Sequence, residues 1–239
     1  MKMRKKILLA DARYAFLLER YWGSEYIILK SVKCAELPEP VSYHPDMVLF
    51  PLGHHSFLCA PNVYSAYQSL LAPYGVKLVQ GKTFLSGNYP KDIAYNIASV
   101  GTFLFGSKKN ADPKILEHAR SNGLVFIDVR QGYAKCSTCT ADESGIITAD
   151  PSIRRAAEAC GLSVLPIQQG HILLPGYEYG FIGGASGHTK ANTLLFAGDL
   201  SLHPDGAAIS QFLSKRNIDI IEIPNQKLLD LGTIFSIDT

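Results

Sequence analysis

Three kinds of side chain in this sequence can carry chemistry. The first is a thiol: Cys136 follows Lys135 and stands three residues before Cys139. A neighbouring cation favours the thiolate, the form that attacks electrophiles and binds metals. The opposed reading is a small buried residue, since free cysteine is often no more than that. The Cys136-x-x-Cys139 spacing does not build a metal site, because strand residues three apart face opposite sides and no second pair completes a zinc set. Cys34, Cys59 and Cys160 read as structural, and no metal or other cofactor is expected. The second kind is imidazole. His171 follows Gly170 just ahead of an apolar stretch, and His54-His55 stands at the mouth of another. Histidine is the usual proton carrier near neutral pH, and only one of two adjacent strand residues can face a ligand. The third is carboxylate: Asp92, Glu178 and Asp230 each sit near the start of a strand-like segment. Singly they are turn or cap residues, but brought together they can hold a planar cation.

Two further clusters invite a bland reading beside a chemical one. Gly183-Gly184-Ala185-Ser186-Gly187 has the composition of a phosphate cradle. A dinucleotide loop must run from a strand into a helix, whereas this one continues into the apolar strand Leu194-Leu195-Phe196. It reads as a tight turn or a close backbone approach, with anion binding by its amides as the alternative. Asp199 and His203 read as turn and helix-cap chemistry, with a divalent cation between them as the alternative.

The elements that position these residues show themselves by repetition. Asp112-Pro113 opens a helical pattern that Gly123 closes, and Asp150-Pro151 opens another that Gly161 closes. Aspartate satisfies the free amides of a first helical turn, proline at the first position wastes no donor, and glycine takes the left-handed exit. Ile153, Ala156, Ala157 and Cys160 follow the rhythm of one buried face. Looser copies run from Phe57 to Val79, with Asn62 as the expected cap, and from Leu194 to Ile223, with His203-Pro204 at the entrance and Asn217 at the exit. Another runs from Lys6 to Leu29, with its helix expected from about Ala12. Each internal copy is preceded by a further apolar stretch: Met47–Phe50, Ala94–Val100, Tyr133–Thr140 and Tyr179–Gly184. The first copy lacks that strand, while Leu231–Ile237 is a spare one at the far end. Pairing the spare with the gap closes the chain into a ring and removes its free edge. Residues 1–239 then form one α/β domain of about five ββαβ units.

Composition agrees with such a domain. The chain has 239 residues, 47% hydrophobic and 18% charged, too apolar for a disordered protein. Lys+Arg 23 against Asp+Glu 21 gives a net charge of +2, and phosphate binding needs a concentrated basic surface, so no nucleic acid is expected. The basic Met1–Lys6 run is followed by only Ile7–Ala10 before Asp11, too short for a signal peptide, and no stretch predicts a membrane span. Five cysteines with no secretory signal fit a reduced cytoplasm.

A ring of about five ββαβ units closed by its own termini resembles the pentein, or α/β-propeller, fold. Several phrases are similar to an uncharacterised bacterial branch of it: Tyr43-His44-Pro45-Asp46, Tyr89-Pro90-Lys91-Asp92-Ile93-Ala94-Tyr95-Asn96, Gly132-Tyr133-Ala134-Lys135-Cys136-Ser137, Tyr179–Gly187 and Leu229-Asp230-Leu231-Gly232. The resemblance implies pseudo-fivefold symmetry, with the C-terminal strand closing the N-terminal unit. The superfamily holds guanidine-modifying enzymes (arginine and agmatine deiminases, dimethylargininase, amidinotransferases) and a non-enzymatic ribosome anti-association factor. In the enzymes a cysteine attacks the guanidinium carbon, a histidine moves protons and carboxylates hold the cation. If this chain is catalytic, Cys136 is the thiol that would substitute as nucleophile, with His171, placed like the family's histidine, as proton carrier. Asp92, Glu178 and Asp230 would hold a cationic small molecule, with Asn96, Lys135 and His55 beside it. The family's nucleophile lies on the C-terminal strand, yet Leu231–Ser236 holds no cysteine and none follows Cys160. The expectation is therefore a small-molecule-binding protein resembling these enzymes; if active, it is a hydrolase or transferase at a guanidino or amidine carbon. The alternative is a non-catalytic scaffold that uses the ring surface for a macromolecular partner. A doubly wound α/β enzyme is the rival fold, and pairing of the two chain ends decides against it.

Overall fold

The computed structural model describes residues 6–53 and 55–237, so His54 and Met1–Lys5 lie outside the described residues. The chain starts with β1 (Ile7–Ala10), α1 (Ala15–Trp22) and β2 (Ile27–Lys30). One plan then recurs four times. A single turn, α2 (Pro45–Val48), leads into β3 (Leu49–Gly53) and β4 (Ser56–Cys59), and α3 (Tyr64–Leu71) crosses to β5 (Lys77–Gln80). The next unit is β6 (Ala98–Val100), β7 (Phe103–Gly106), α4 (Pro113–Ser121) and β8 (Val125–Asp128). The single turn α5 (Ala134–Ser137) then precedes β9 (Cys139–Asp142), β10 (Gly145–Thr148), α6 (Pro151–Ala159) and β11 (Ser163–Pro166). The fourth repeat is β12 (Ser186–Lys190), β13 (Thr193–Phe196), α7 (Gly206–Ser214) and β14 (Asp219–Glu222), and β15 (Phe235–Ile237) follows.

Among the described residues these strands form five sheets of three. In each internal sheet the first strand pairs antiparallel with the second, and the second pairs parallel with the third across a helix. β15 supplies the antiparallel partner that β1 lacks: Ile7 lies opposite Ile237 and Leu9 opposite Phe235. The two chain ends thus complete one sheet, as the spare-strand argument requires and as a doubly wound sheet does not. The central strands are apolar on both faces, because a helix covers one face and the protein interior the other. All four residues of β1 and Ile146, Ile147, Leu194, Leu195 and Phe196 are buried, each large side chain contributing about 1.5–3 kcal/mol.

The capping grammar is visible in α4 and α6. Asp112 accepts the amide of Lys114 at 2.9 Å, and Asp150 accepts those of Ser152 and Ile153, each at 2.8 Å. Gly123 and Gly161 leave with φ of 66° and 78°. The expected cap at Asn62 does not form: α3 begins at Tyr64 with no side-chain cap. The Asn62 amide instead pairs with the backbone of Leu85, accepting its N–H at 2.8 Å and donating to its carbonyl at 3.1 Å. α1 begins at Ala15 because a turn from Asp11 to Tyr14 occupies the preceding residues. No helix among the described residues is long and apolar enough to cross a membrane.

Candidate functional site

The segments that immediately precede β3, β6, β9, β12 and β15 meet in one buried polar knot. From the first comes Asp46, whose Oδ2 accepts the thiol of Cys136 at 3.1 Å from the third. Asn96, from the second, donates to the Cys136 sulfur at 3.1 Å and to the Asp46 carbonyl at 3.2 Å. Its oxygen accepts the backbone amides of Lys135 at 2.8 Å and Cys136 at 3.2 Å. Thr233, from the fifth, has its hydroxyl 2.9 Å from both Asp46 Oδ2 and the carbonyl of Gly183, which belongs to the fourth. That hydroxyl accepts from Lys135 Nζ at 2.8 Å. Thr233 has φ of 72°, a strained conformation for a β-branched residue. Such strain costs about 1–3 kcal/mol, persists only where surroundings enforce it, and clusters at functional sites.

A cavity of about 280 Å³ opens beside this knot, bounded by Cys136, His44, Asp230 and Glu178 together with Tyr133, Tyr177, Tyr179, Phe181 and apolar side chains. Asp230 is held by the amides of Phe181 at 2.8 Å and Gly232 at 2.9 Å. The Gly-rich turn is what admits it: a Cβ on Gly184 would lie 1.9 Å from Asp230 Oδ1. The turn's amide at Gly184 is committed to the carbonyl of Cys136 at 3.0 Å, and the turn runs into β12 rather than a helix, so close backbone approach accounts for its glycines. Burial, reinforced by the charge of Asp46, pushes the Asp230 carboxyl up to about 7. Burial likewise raises Asp46. Burial first, and Arg13 second, bring His44 down to about 3. Two carboxylates flank that ring, Asp11 Oδ2 at 3.7 Å from Nε2 and Asp230 Oδ1 at 3.8 Å from Nδ1, but desolvation outweighs them and the imidazole is neutral. Cys136 is raised well above the ordinary thiol range by burial and then by Asp46 and Asp230. It is therefore a protonated thiol, 3% exposed, at the edge of the cavity.

The structure brings Cys136, Asp230 and Glu178 to one cavity and leaves other expected residues elsewhere. His171 is exposed, with its ring 5.5 Å from that of His203, and does not bound the cavity with Cys136. His55 is exposed in the turn between β3 and β4, with φ of 52°. Asp92 lies behind the cavity wall and accepts the Tyr133 hydroxyl at 2.7 Å. Asn96 is fully buried with both ends of its amide engaged, so it braces the knot rather than facing a ligand. Cys136 sits in the helical turn α5, not on a strand. The ammonium of Lys135 turns to Thr233 and Gly183, 2.8 and 3.5 Å away, and borders a separate cavity of about 220 Å³ with Thr233 and Ser236. It therefore does not favour a Cys136 thiolate. His44, Asp46 and Thr233 were the residues missed. For Asp46 the signal is positional, since it and Cys136 each stand three residues before the first strand of their units; no such register marks His44 or Thr233.

Five small mixed sheets, each with a helix joining its two parallel strands and one of them completed by β15, give this protein a pentein-like α/β-propeller fold. It belongs to the family of unknown function DUF6873, whose profile matches residues 17–235. Solved structures agree on the fold. A DDAH from Pseudomonas aeruginosa, a Cys-to-Ser mutant complexed with citrulline, is 9% identical with a TM-score of 0.58, covering 93% of each chain. The C. jejuni agmatine deiminase is 12% identical with a TM-score of 0.58, covering 99% of this chain and 94% of its own. The inosamine-phosphate amidinotransferase of Streptomyces griseus is 11% identical with a TM-score of 0.51, covering 96% of this chain and 88% of its own. A sequence comparison with curated proteins finds no match.

Proposed function

We propose that this chain binds a small organic cation of the guanidino or amidino class in the cavity bounded by Cys136, Asp230 and Glu178. One observation carries the reading: a cavity of about 280 Å³ combines aromatic walls with a buried carboxylate and a second, exposed one at Glu178. Its size is near the lower end of small-molecule sites, about 300 Å³ upward. Aromatic faces attract a desolvated cation by up to about 2 kcal/mol, and a guanidinium matches a carboxylate with two parallel hydrogen bonds. Glu178 and the tyrosines supply the entrance, and Asp230 supplies the inner anchor. Fold neighbours named as an agmatine deiminase and as amidinotransferases support a ligand of this kind.

Binding without covalent transfer is the form of the function that the thiol favours. Attack on a guanidino carbon needs a thiolate, and burial, reinforced by Asp46 and Asp230, opposes one at Cys136. Thermal-shift titration with arginine, agmatine and citrulline tests the proposal. Arginine and agmatine carry the charged head group and are expected to raise the melting temperature. Citrulline, whose head group is neutral, is expected not to. A ligand at 100 times its Kd stabilises by about 2.7 kcal/mol, or roughly 5–11 °C for a chain of this length. Glu178→Gln, at an exposed position, should halve the shift or more. No shift with any cation at millimolar concentration would overturn the reading.

A further inference from the structure

His44 is 1% exposed, yet neither ring nitrogen has a hydrogen-bond partner among the described residues. Asp46 is fully buried and its Oδ1 is likewise unpartnered. Folded proteins pair nearly all such groups. These two side chains lie two residues apart and converge on a third donor, the sulfur of Cys136. One ligand atom from each of the three lies within 4.8 Å of the others.

We infer that His44, Asp46 and Cys136 bind a zinc ion at the inner end of the cavity, through an imidazole nitrogen, a carboxylate oxygen and the thiolate. Zinc accepts this mixed nitrogen, oxygen and sulfur set at about 2.0–2.3 Å, and a soft thiolate beside an imidazole disfavours magnesium and calcium. Three protein ligands leave the fourth tetrahedral position open, the arrangement of reactive rather than purely structural zinc sites. Two of the three ligands bound the cavity, so an ion held by them would lie beside it.

The site is built in advance. Pro45 stands between His44 and Asp46 as the first residue of α2, and its ring fixes the backbone that presents both side chains. The Asp46 amide is tied to the carbonyl of Gly232 at 3.1 Å. A Cβ on Gly232 would lie 2.2 Å from that of His44, so the close approach also fixes His44. Behind the ligands, Thr233 contacts the carboxylate and Asn96 donates to the sulfur, the outer partners that orient metal ligands. As the S–Zn bond forms, the Cys136 proton leaves to solvent and its hydrogen bond to Asp46 is replaced by metal coordination. The ion's two charges are matched by Asp46 and the thiolate, leaving Asp230 and Glu178 for an organic cation. The inference stands whether or not such a cation binds.

The test uses the full chain, reduced, stripped with a chelator and titrated anaerobically with Co²⁺ and then Zn²⁺. The expected result is one Co²⁺ per chain, with a sulfur-to-cobalt charge-transfer band and the intense visible bands of tetrahedral cobalt. Both sets of bands should vanish when Zn²⁺ displaces it. Cys136→Ser should abolish the charge-transfer band, and His44→Gln should weaken binding more than about tenfold, since loss of an outer partner alone costs about 10–100-fold. Cys160→Ser should change nothing. Absence of the charge-transfer band in the unmodified chain, or its survival in Cys136→Ser, would overturn the inference. The unmodified chain decides the matter even where a variant folds poorly.

Discussion

Removing the Asn96 side chain tests whether the knot holds the units together. In Asn96→Ala the amides of Lys135 and Cys136 lose their acceptor, and the Cys136 sulfur and the Asp46 carbonyl lose a donor. The residue is fully buried, so water does not readily take its place. Two stranded amides at about 1–3 kcal/mol each set a range of about 2–6 kcal/mol, and about 3 kcal/mol is the expected loss once the site relaxes. For a chain of this length that lowers the melting temperature by roughly 6–12 °C. Urea unfolding at pH 7 is the assay, read as a lower midpoint at unchanged slope. Asn62→Ala is the matched control: it also removes two hydrogen bonds, to Leu85, but at a half-buried position, and should cost about 1 kcal/mol. If the two variants lose the same amount, or Asn96→Ala loses less than about 1 kcal/mol, the knot does not hold the units as argued.

Acid sensitivity is expected to centre on Asp112, whose carboxylate accepts from the amides of Lys82, Thr83 and Lys114 and from the Tyr95 hydroxyl. Burial pushes this carboxyl up, but the three amides outweigh it and hold it below the usual range. Its stabilisation is thus present above the unfolded value of about 3.9 and fades as pH falls through the folded one. Asp112→Asn should cost about 2 kcal/mol at pH 7, and its gap from the unmodified chain should shrink below about pH 4 in parallel denaturation curves. Gly184→Ala sets a Cβ against Asp230; it should lower thermal stability and abolish any cation-induced shift, and a variant as stable as the parent would contradict the close packing. Of the five cysteines only Cys160 is not fully buried. Brief alkylation of the folded chain followed by peptide mass spectrometry should therefore label Cys160 first, and faster labelling of Cys34 or Cys59 would refute the assigned burial.

The fold was legible because its signals are local. Asp150, Pro151 and Gly161 define a helix within twelve residues of chain, and the alternation of short apolar runs with such helices repeats often enough to count. The spare strand followed from the same count. The site was less legible because its parts come from five segments as distant as Asp46 and Thr233, and no spacing rule relates them. Asn62 shows the limit on a smaller scale: a side chain suited to capping α3 was taken by the backbone of Leu85, a contact no local pattern announces. The neighbour Lys135 singles out Cys136 in the sequence, yet the ammonium turns away, and burial, followed by Asp46 and Asp230, sets the thiol's state. His171 looked apt by sequence position alone, whereas His44, without a glycine before it, is the imidazole at the cavity.

The pairing of β15 with β1 carries a consequence for how the molecule opens. Four sheets join strands that are near one another in sequence, whereas the fifth spans from Ile7 to Ile237. Non-local contacts form slowly, so this pairing is the expected late step of folding, and release of β15 from β1 is the local opening that exchange measurements would detect. Asp230 and Thr233 lie on the segment that leads into β15, so the excursion that frees the β1 edge also dismantles the carboxylate end of the cavity. A cation bound at Asp230 would therefore also stabilise the latched chain, since a ligand favours only the state it binds. Amide exchange along Leu231–Ile237 would report a bound guest that never touches the strand itself.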